Sequence, residues 1–234
     1  MTASNSERFL VAFNRIEKAL EKMTGSNTYV SFFKLIDFAK KKNAIVRRFE
    51  DDLREYGDLR NAIVHHRTAI EYAIAEPHDE VVEKIEQIDR ILTEPPVAGG
   101  QFRRQVRIFA PDNSLADALR MAGKKKDFQI PVFEEDEFRG LISPSGLMEY
   151  LAETVADDVI SREITTLSDI LRHIHTGRSY EFISANLSVY AAEEMFSDAV
   201  VKGRRLEALL ITENGRRDEK LVGIITPWDL MKIE

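Results

Sequence analysis

The sequence contains no cysteine. Disulfide bonds, thiolate metal sites and cysteine nucleophiles are therefore excluded, and the composition fits a reducing cytoplasm. The sequence also lacks any apolar run close to the roughly 20 residues that a membrane-spanning helix needs. Its first ten residues do not have the basic and apolar segments of a signal peptide. We therefore expect a cytoplasmic protein that does not enter the membrane.

Basic residues are outnumbered by acidic ones, 33 against 40, which gives a net charge of −7. This balance argues against a dedicated double-stranded nucleic-acid-binding protein, which needs a basic surface. Three short basic runs, at residues 40–42, 47–48 and 124–126, are most simply explained as solvated helix ends. His173 and His175 have no accompanying set of metal-ligand residues, so no metal site is predicted.

Residues 94–100 divide the chain into two halves with different patterns. Pro95 and Pro96 cannot continue a helix, and Gly99 and Gly100 leave the backbone loose, so residues 95–100 are predicted to be a linker. In the preceding residues, 1–94, apolar residues recur every three or four positions, which predicts a helical bundle. The expected helices run from a Ser6 cap to Gly25 and then over residues 29–41, 44–56, 59–75 and 79–92, with Gly57 between the third and the fourth.

After the linker the sequence repeats itself. The string GLISPSGLM at residues 140–148 returns as GIITPWDLM at 223–231, and SLADALRM at 114–121 returns as SVYAAEEM at 188–195. Two blocks that match in the same order indicate an internal duplication. Each copy is predicted to form a short strand, a helix, two strands and a helix. The fold class is therefore α+β, with an N-terminal α-helical bundle followed by two small mixed α/β units at residues 101–162 and 163–234.

The duplicated half resembles the CBS domain family, whose members occur as side-by-side pairs. The second copy has the full family motif, with Gly223, two aliphatic residues, Thr226, two variable residues and Asp229. The resemblance implies a regulatory module that binds an adenine nucleotide (AMP, ADP or ATP). It places Thr226 against phosphate and Asp229 against ribose.

The residue types suit these implied roles. A hydroxyl and free N–H groups at a helix N-terminus favour a phosphate, and a carboxylate can accept both hydroxyls of a ribose, which a deoxyribose does not fully provide. Outside a duplicated unit the same pair would be interpreted as a helix cap and a favourable charge in the first turn. The resemblance also implies that Phe182, Ile183 and Ser184 line the adenine pocket.

The first copy departs from the motif. It keeps Ser143 at the phosphate position, but Gly146 stands where the carboxylate should be. We therefore expect one good nucleotide site per chain. Trp228 is either a wall of that pocket or a dimer contact, and the sequence does not separate these alternatives.

The helical half contains Arg60-Asn61 followed by His65 after three residues, a spacing that resembles the signature of HEPN domains. The resemblance implies a metal-independent ribonuclease that acts on RNA as a homodimer. His65 would be the general acid or base, and Arg60 would hold the phosphate. Asn61 would orient either the histidine or the phosphate. Helical periodicity places Leu59, Ile63, His66, Ile70 and Ala73 on the core stripe, with His65 on the opposite side.

Three hypotheses remain open at this point. The first is a nucleotide-sensing protein whose CBS pair controls a ribonuclease. The second is a non-enzymatic nucleotide-binding module that dimerises or recruits a partner, and the third is a scaffold that ignores nucleotides. The sequence does not decide whether the helical half is an enzyme, which adenosine ligand binds, or whether that ligand activates or inhibits.

Overall fold

The fold was analysed in a computed structural model, which describes residues 4–25, 28–65, 76–125, 128–155, 165–174 and 179–231. The chain divides into two compact units, residues 1–96 (unit 1) and 97–234 (unit 2). Unit 1 is helical where it is described and unit 2 mixes helices with strands, so the predicted α+β class is confirmed. None of the helices in the described ranges combines the length and apolar character needed to cross a bilayer.

Unit 1 is built around a long N-terminal helix. Its described helices are α1 (Asn5–Thr24), α2 (Phe32–Ala39), α3 (Ala44–Arg48), α4 (Glu50–His65) and α5 (Asp79–Thr93). The expected Ser6 cap is wrong, because Ser4 and Glu7 form a reciprocal capping box at the start of α1. Ser6 is instead a buried residue of the helix, and its hydroxyl is bonded to Glu76.

The break expected at Gly57 is also wrong, because α4 runs through this residue without interruption. A Cβ atom at Gly57 would lie 3.0 Å from Phe33 Cζ and 3.2 Å from Phe32 Cδ1. The glycine therefore lets two aromatic rings of α2 approach the backbone of α4, and tertiary packing outweighs its low helix propensity. The chain bends at Phe49 instead, between α3 and α4. Residues 66–75, which include the remainder of the fourth expected helix, lie outside the described residues.

The described residues of unit 2 form two small sheets. Its elements are α6 (Ala98–Gln101), α7 (Leu115–Lys125), β1 (Ile130–Glu134), β2 (Glu137–Ile142), α8 (Pro144–Val155), α9 (Leu167–His173), β3 (Tyr180–Ser184), α10 (Val189–Val201), β4 (Ala208–Thr212), β5 (Gly223–Ile225) and α11 (Pro227–Leu230). Strands β1 and β2 pair antiparallel, while β4 lies between a parallel β3 and an antiparallel β5. The short first strand expected in the first copy is reduced to a single bridge between Phe109 and Val132.

Three hydrophobic clusters among the described residues hold unit 2 together. One lies within the first copy and includes Leu115, Val132 and Ile170. A second lies within the second copy, between α10 and one face of its sheet. The third joins the copies, because Phe133, Phe138 and Leu141 of the first sheet pack with Leu210 and Ile224 of the second. The two copies therefore share one apolar core, which makes unit 2 a single packed body.

The two copies exchange their leading segments: the residues that precede each copy in sequence pack on the other copy. Residues 97–104 precede the first copy but are hydrogen-bonded to the second, through Gly99 N to Ala185 O at 2.8 Å and Arg104 N to Val222 O at 3.0 Å. Residues 165–173 precede β3 but pack on the first copy, where Leu115 N donates to Thr165 O at 2.9 Å. The packing thus does not follow the sequence boundaries 101–162 and 163–234. Gly99 and Gly100, the glycines of the expected linker, both lie within the short helix α6. This segment is held on the second copy by hydrogen bonds such as Gly99 N to Ala185 O.

The motif glycines make room for these exchanged segments. A Cβ atom at Gly223 would lie 2.5 Å from the carbonyl oxygen of Phe102, and one at Gly140 would lie 2.7 Å from Leu171 Cδ2. Both contacts are shorter than van der Waals packing allows. A side chain at Gly223 would meet backbone and force the exchanged segment away, whereas one at Gly140 would require the Leu171 side chain to move. The first residue of the repeated motif therefore has a packing role in both copies.

We predict that Gly223→Ala destabilises the protein by about 1–3 kcal/mol, since its Cβ would meet a backbone oxygen that cannot rotate away. Gly123→Ala is the matched control, because nothing lies within 4 Å of a Cβ at that position in α7. The control should be neutral or stabilising by about 0.5–1 kcal/mol. Urea denaturation of both variants measures the difference, and equal stabilities would contradict the packing role of Gly223.

Candidate functional site

The predicted phosphate and ribose residues lie together where β5 passes into α11. Thr226 N and Thr226 Oγ1 both donate to Asp229 Oδ2, at 2.8 and 2.7 Å. Both residues are partly exposed, at the end of a buried strand. In this structure the pair therefore forms a capping box, which is the alternative that the sequence left open. The geometry brings the two side chains together without yet showing what they bind.

Among its described residues, unit 2 has another capping box at the start of α9 and a related hydroxyl–carboxylate pair at the start of α7, which provide a comparison. Asp169 Oδ2 accepts from Thr166 Oγ1 at 2.7 Å, while its Oδ1 accepts from Arg172 at 3.0 Å. Asp117 likewise accepts from Ser114 on one oxygen and from Arg120 on the other. No residue in the described ranges donates to Asp229 Oδ1, and the residue three positions further, Lys232, lies outside them.

The corresponding position in the first copy is closed by packing. Ser143 is buried, and its hydroxyl lies 3.2 Å from Ser145 Oγ and accepts from Gly146 N at 3.3 Å. A Cβ atom at Gly146 would lie 3.0 Å from Ile174 Cδ1. A carboxylate could not be placed there without moving Ile174, which follows α9. The exchanged segment therefore occupies the space that an aspartate would need.

The sheet register does not bring Ser184 to the Thr226 end of the sheet. Ile225 is opposite Leu209, which is opposite Glu181, so the end of β5 lies beside the start of β3. Ser184 lies three residues further along β3, about 10 Å away at the usual rise of a strand. Its hydroxyl donates to Glu213 O at 3.0 Å at the opposite end of the sheet.

Phe182 and Ile183 are engaged in packing on the two faces of β3. Phe182 packs edge-to-face against Phe138, with ring centroids 5.1 Å apart, in the core that the copies share. Ile183 is buried on the other face, in the cluster formed with α10. Neither residue is brought next to Thr226, and the implied adenine-lining role of residues 182–184 remains a prediction that the register does not favour.

Other residues share the Thr226 end of the sheet, and sequence patterns did not identify them. Glu207 precedes β4, and its Oε2 atom is buried without a hydrogen-bond partner among the described residues. Its other oxygen accepts from Arg205 Nε at 3.1 Å, while Arg204 pairs with Glu181 at 2.9 Å. Ser179 O accepts from Glu207 N at 2.7 Å, which aligns the start of β3 with the start of β4. The sheet register therefore identifies Glu207 as a neighbour of the Thr226 end. Residues 175–178, next in sequence to Ser179, lie outside the described residues.

A separate cavity of about 440 Å³ lies mainly in the first copy. Its lining includes Arg104, Arg107, Phe109 and Gln129, with Ile224 from β5. The size falls within the range of small-molecule sites, and the two arginines are exposed. Neither Thr226 nor Asp229 lines this cavity, so it is distinct from the motif site.

The candidate nuclease residues lie on the C-terminal part of α4. Asn61 is exposed and accepts from Arg60 Nη1 at 3.4 Å, and the Arg60 guanidinium lies 5.9 Å from the Phe13 ring centroid. Ile63 is fully buried, as expected for the core stripe, whereas Leu59 is only partly buried. His65 is the last residue of the helix, and its side chain is not among those described. His66, Ile70 and Ala73 also lie outside the described residues, so the arrangement of Arg60 with His65 stays a prediction.

No group of three metal-ligating side chains occurs among the residues that the structure describes. The motif site is therefore characterised by one carboxylate, one hydroxyl and the backbone N–H groups around them. Such a set can bind hydroxyl groups and a phosphate by hydrogen bonding alone.

Comparisons with known proteins agree with the sequence resemblance in the second half of the chain. Residues 80–153 match the family description of the CBS domain. This match begins within α5 and ends within α8, so it covers most of the first copy and less than half of the chain. No curated protein matches the chain.

Several solved structures with CBS domains match part of the chain. CBSX2 in complex with AMP is 18% identical and matches 58% of this chain and 94% of its own, with a TM-score of 0.43. A signal-transduction protein with CBS domains from Burkholderia ambifaria is 18% identical, matches 55% and 82% of the two chains, and has a TM-score of 0.41. A CBS-domain-containing protein from Agrobacterium tumefaciens is 18% identical, with 55% and 88% covered and a TM-score of 0.40. The chain thus contains a CBS domain match at residues 80–153.

Proposed function

We propose that the protein is a regulatory adenine-nucleotide sensor, with one nucleotide site per chain at the junction of β5 and α11. The observation that carries the proposal is the pairing of Thr226 with Asp229 in the turn that follows the buried strand β5. Asp229 Oδ2 accepts both bonds from Thr226, whereas no described residue donates to Oδ1.

The chemistry of binding follows from this arrangement. A ribose hydroxyl donates to Asp229 Oδ1, and a second hydroxyl can replace the Thr226 hydroxyl at Oδ2. Thr226 Oγ1 is then free to donate to a phosphate oxygen beside the backbone N–H groups of the turn. An N–H donor of the base near the start of β4 would satisfy the buried Glu207 Oε2. The four contacts together describe a ribonucleotide with an amino-substituted base.

The first copy is not expected to bind in the same way. Gly146 provides no carboxylate, and Ile174 fills the space beside it. The buried Ser143 hydroxyl is already engaged with Ser145 and Gly146. These contacts support one motif-based site per chain.

A route for regulation follows from the exchanged segment. Arg103 forms an antiparallel β-bridge with Gly223, and Arg104 N donates to Val222 O at 3.0 Å. Residues 97–104 are therefore fixed to β5, the strand that leads into Thr226. The same segment continues from unit 1 along the chain. A nucleotide that binds unequally to two positions of β5 would shift this segment and so act on unit 1. The alternative of a non-enzymatic dimerisation or adaptor module uses the same nucleotide site, with a partner protein as the readout.

We predict that Asp229→Asn weakens binding of AMP, ADP and ATP at least tenfold, because it removes a charged acceptor. Asp169→Asn is the matched control, since Asp169 occupies the same kind of capping box outside the motif. Isothermal titration calorimetry with each nucleotide measures both variants. Equal binding by wild type and Asp229→Asn, or equal loss in both variants, would contradict the proposed site.

The ribonuclease hypothesis for unit 1 has its own test. Purified chain is incubated with mixed-sequence RNA in EDTA, with and without AMP and ATP. The hypothesis predicts cleavage to 2′,3′-cyclic phosphate ends by wild type and at least a hundredfold loss in His65→Ala, since a general acid-base group is removed. His78→Ala, at the start of α5, is the control for loss of a histidine. Identical inert behaviour of folded wild type and His65→Ala would leave the nucleotide-binding adaptor.

A further inference from the structure

One surface of unit 1 combines an exposed aromatic ring with positive charge. Lys34 and Phe38 lie one helical turn apart on α2, and Lys41 follows one turn later, just beyond the helix. The spacing of four and three residues puts all three side chains on one face. All three are exposed, as are Lys42 and the two arginines at the end of α3. We call this the α2–α3 surface, and it consists of Lys34, Phe38, Lys41, Lys42, Arg47 and Arg48.

Phe38 is the unusual member of this surface. Its ring is 51% exposed, although α2 buries Leu35 and Ile36 completely on its other side. Lys41 Nζ lies 5.6 Å from the ring centroid, within the range of a cation–π interaction. Phe38 thus combines an exposed aromatic ring with a positive charge close to it.

The positive charge of the surface is concentrated in a short segment of the chain. Residues 34–48 contain six basic residues and one acidic residue, in a chain with a net charge of −7. The nearby acids serve the inner cations instead. Glu50 Oε1 binds Lys40 Nζ at 2.8 Å and Arg54 at 3.0 Å, and these hydrogen bonds hold the pKa of Glu50 below its usual value.

The one acidic residue within the segment is used in the same way. Asp37 pairs with Lys40 at 3.3 Å and with Arg54 at 2.5 Å. Within the described ranges, no acidic group forms an ion pair with Lys34, Lys41 or Lys42. The acidic groups near this segment are therefore paired with Lys40 and Arg54, and not with the three exposed lysines.

We propose that the α2–α3 surface binds single-stranded nucleic acid, with an unpaired base stacked on Phe38 and the adjoining phosphates held by Lys34, Lys41 and Lys42. An exposed ring flanked by cations is the combination that such strands require, because stacking and charge neutralisation act on neighbouring atoms of one nucleotide. A duplex hides its base faces, and an anionic membrane is an extended surface that repels the rest of this acidic chain. A single strand is narrow enough to meet the basic segment alone. This surface lies in unit 1 and does not depend on the nucleotide site in unit 2.

The test uses the full chain and fluorescence anisotropy with labelled 12-nucleotide oligouridylate and oligodeoxythymidylate. The deoxy strand has no 2′-hydroxyl, so it also reports binding if unit 1 cleaves RNA. Binding to both strands is expected. Phe38→Ala should weaken it about tenfold or more through lost stacking. Three phosphate contacts predict a slope of log Kd against log salt of roughly 2.

The charge variant has a matched control on α1. Lys34→Glu/Lys41→Glu should abolish binding, whereas Lys18→Glu/Lys22→Glu changes the net charge equally at two exposed positions one turn apart and should retain it. Circular dichroism verifies folding, and the exposure of all four lysines favours it. Equal loss in both double variants, equal affinity for a hairpin duplex, or binding to phosphatidylserine vesicles without binding to the oligonucleotides would overturn the proposal.

Discussion

The close approach of backbone to backbone at Gly223 is the constraint on which the rest of unit 2 depends. A carbonyl oxygen of the segment that enters the unit lies where a side chain would otherwise stand. This contact fixes β5 against residues 97–104, and β5 in turn carries Thr226 and Asp229 into the following turn. The glycine at the start of the motif and the carboxylate at its end are thus two parts of one structure. Gly223 allows β5 to lie against residues 97–104, and the position of β5 in turn determines where the Asp229 carboxylate lies.

The exchanged segments also account for a structural difference between the two copies. Gly140 accommodates Leu171 of α9, in the way that Gly223 accommodates Phe102. In the first copy the exchanged segment continues past Gly140 to Ile174, which fills the space beside Gly146. The second copy has a partly exposed aspartate at the equivalent position. The two copies thus have similar backbones, but in the first copy the Ile174 side chain fills the space beside the motif position.

The sequence predicted the parts of this architecture that depend on local pattern. The duplication, the α+β class and the position of Thr226 and Asp229 at a strand-to-helix turn were all visible in residue spacing. It could not predict the exchange of residues 97–104 and 165–173, because that packing joins positions distant in sequence. For the same reason Gly57 was misinterpreted, since its effect on α4 depends on the rings of Phe32 and Phe33 from another helix. The placement of Ser184 away from Thr226 depends on sheet register, which one strand alone does not determine.

The central claim is that Asp229 recognises the ribose of an adenine nucleotide. The most direct measurement is the calorimetric affinity of wild-type protein for AMP against 2′-deoxy-AMP. The account predicts that the deoxy ligand binds about tenfold or more weakly, because it lacks a hydroxyl that would donate to the carboxylate. Equal affinities for the two ligands would contradict the account, and would leave Thr226 and Asp229 as a helix cap.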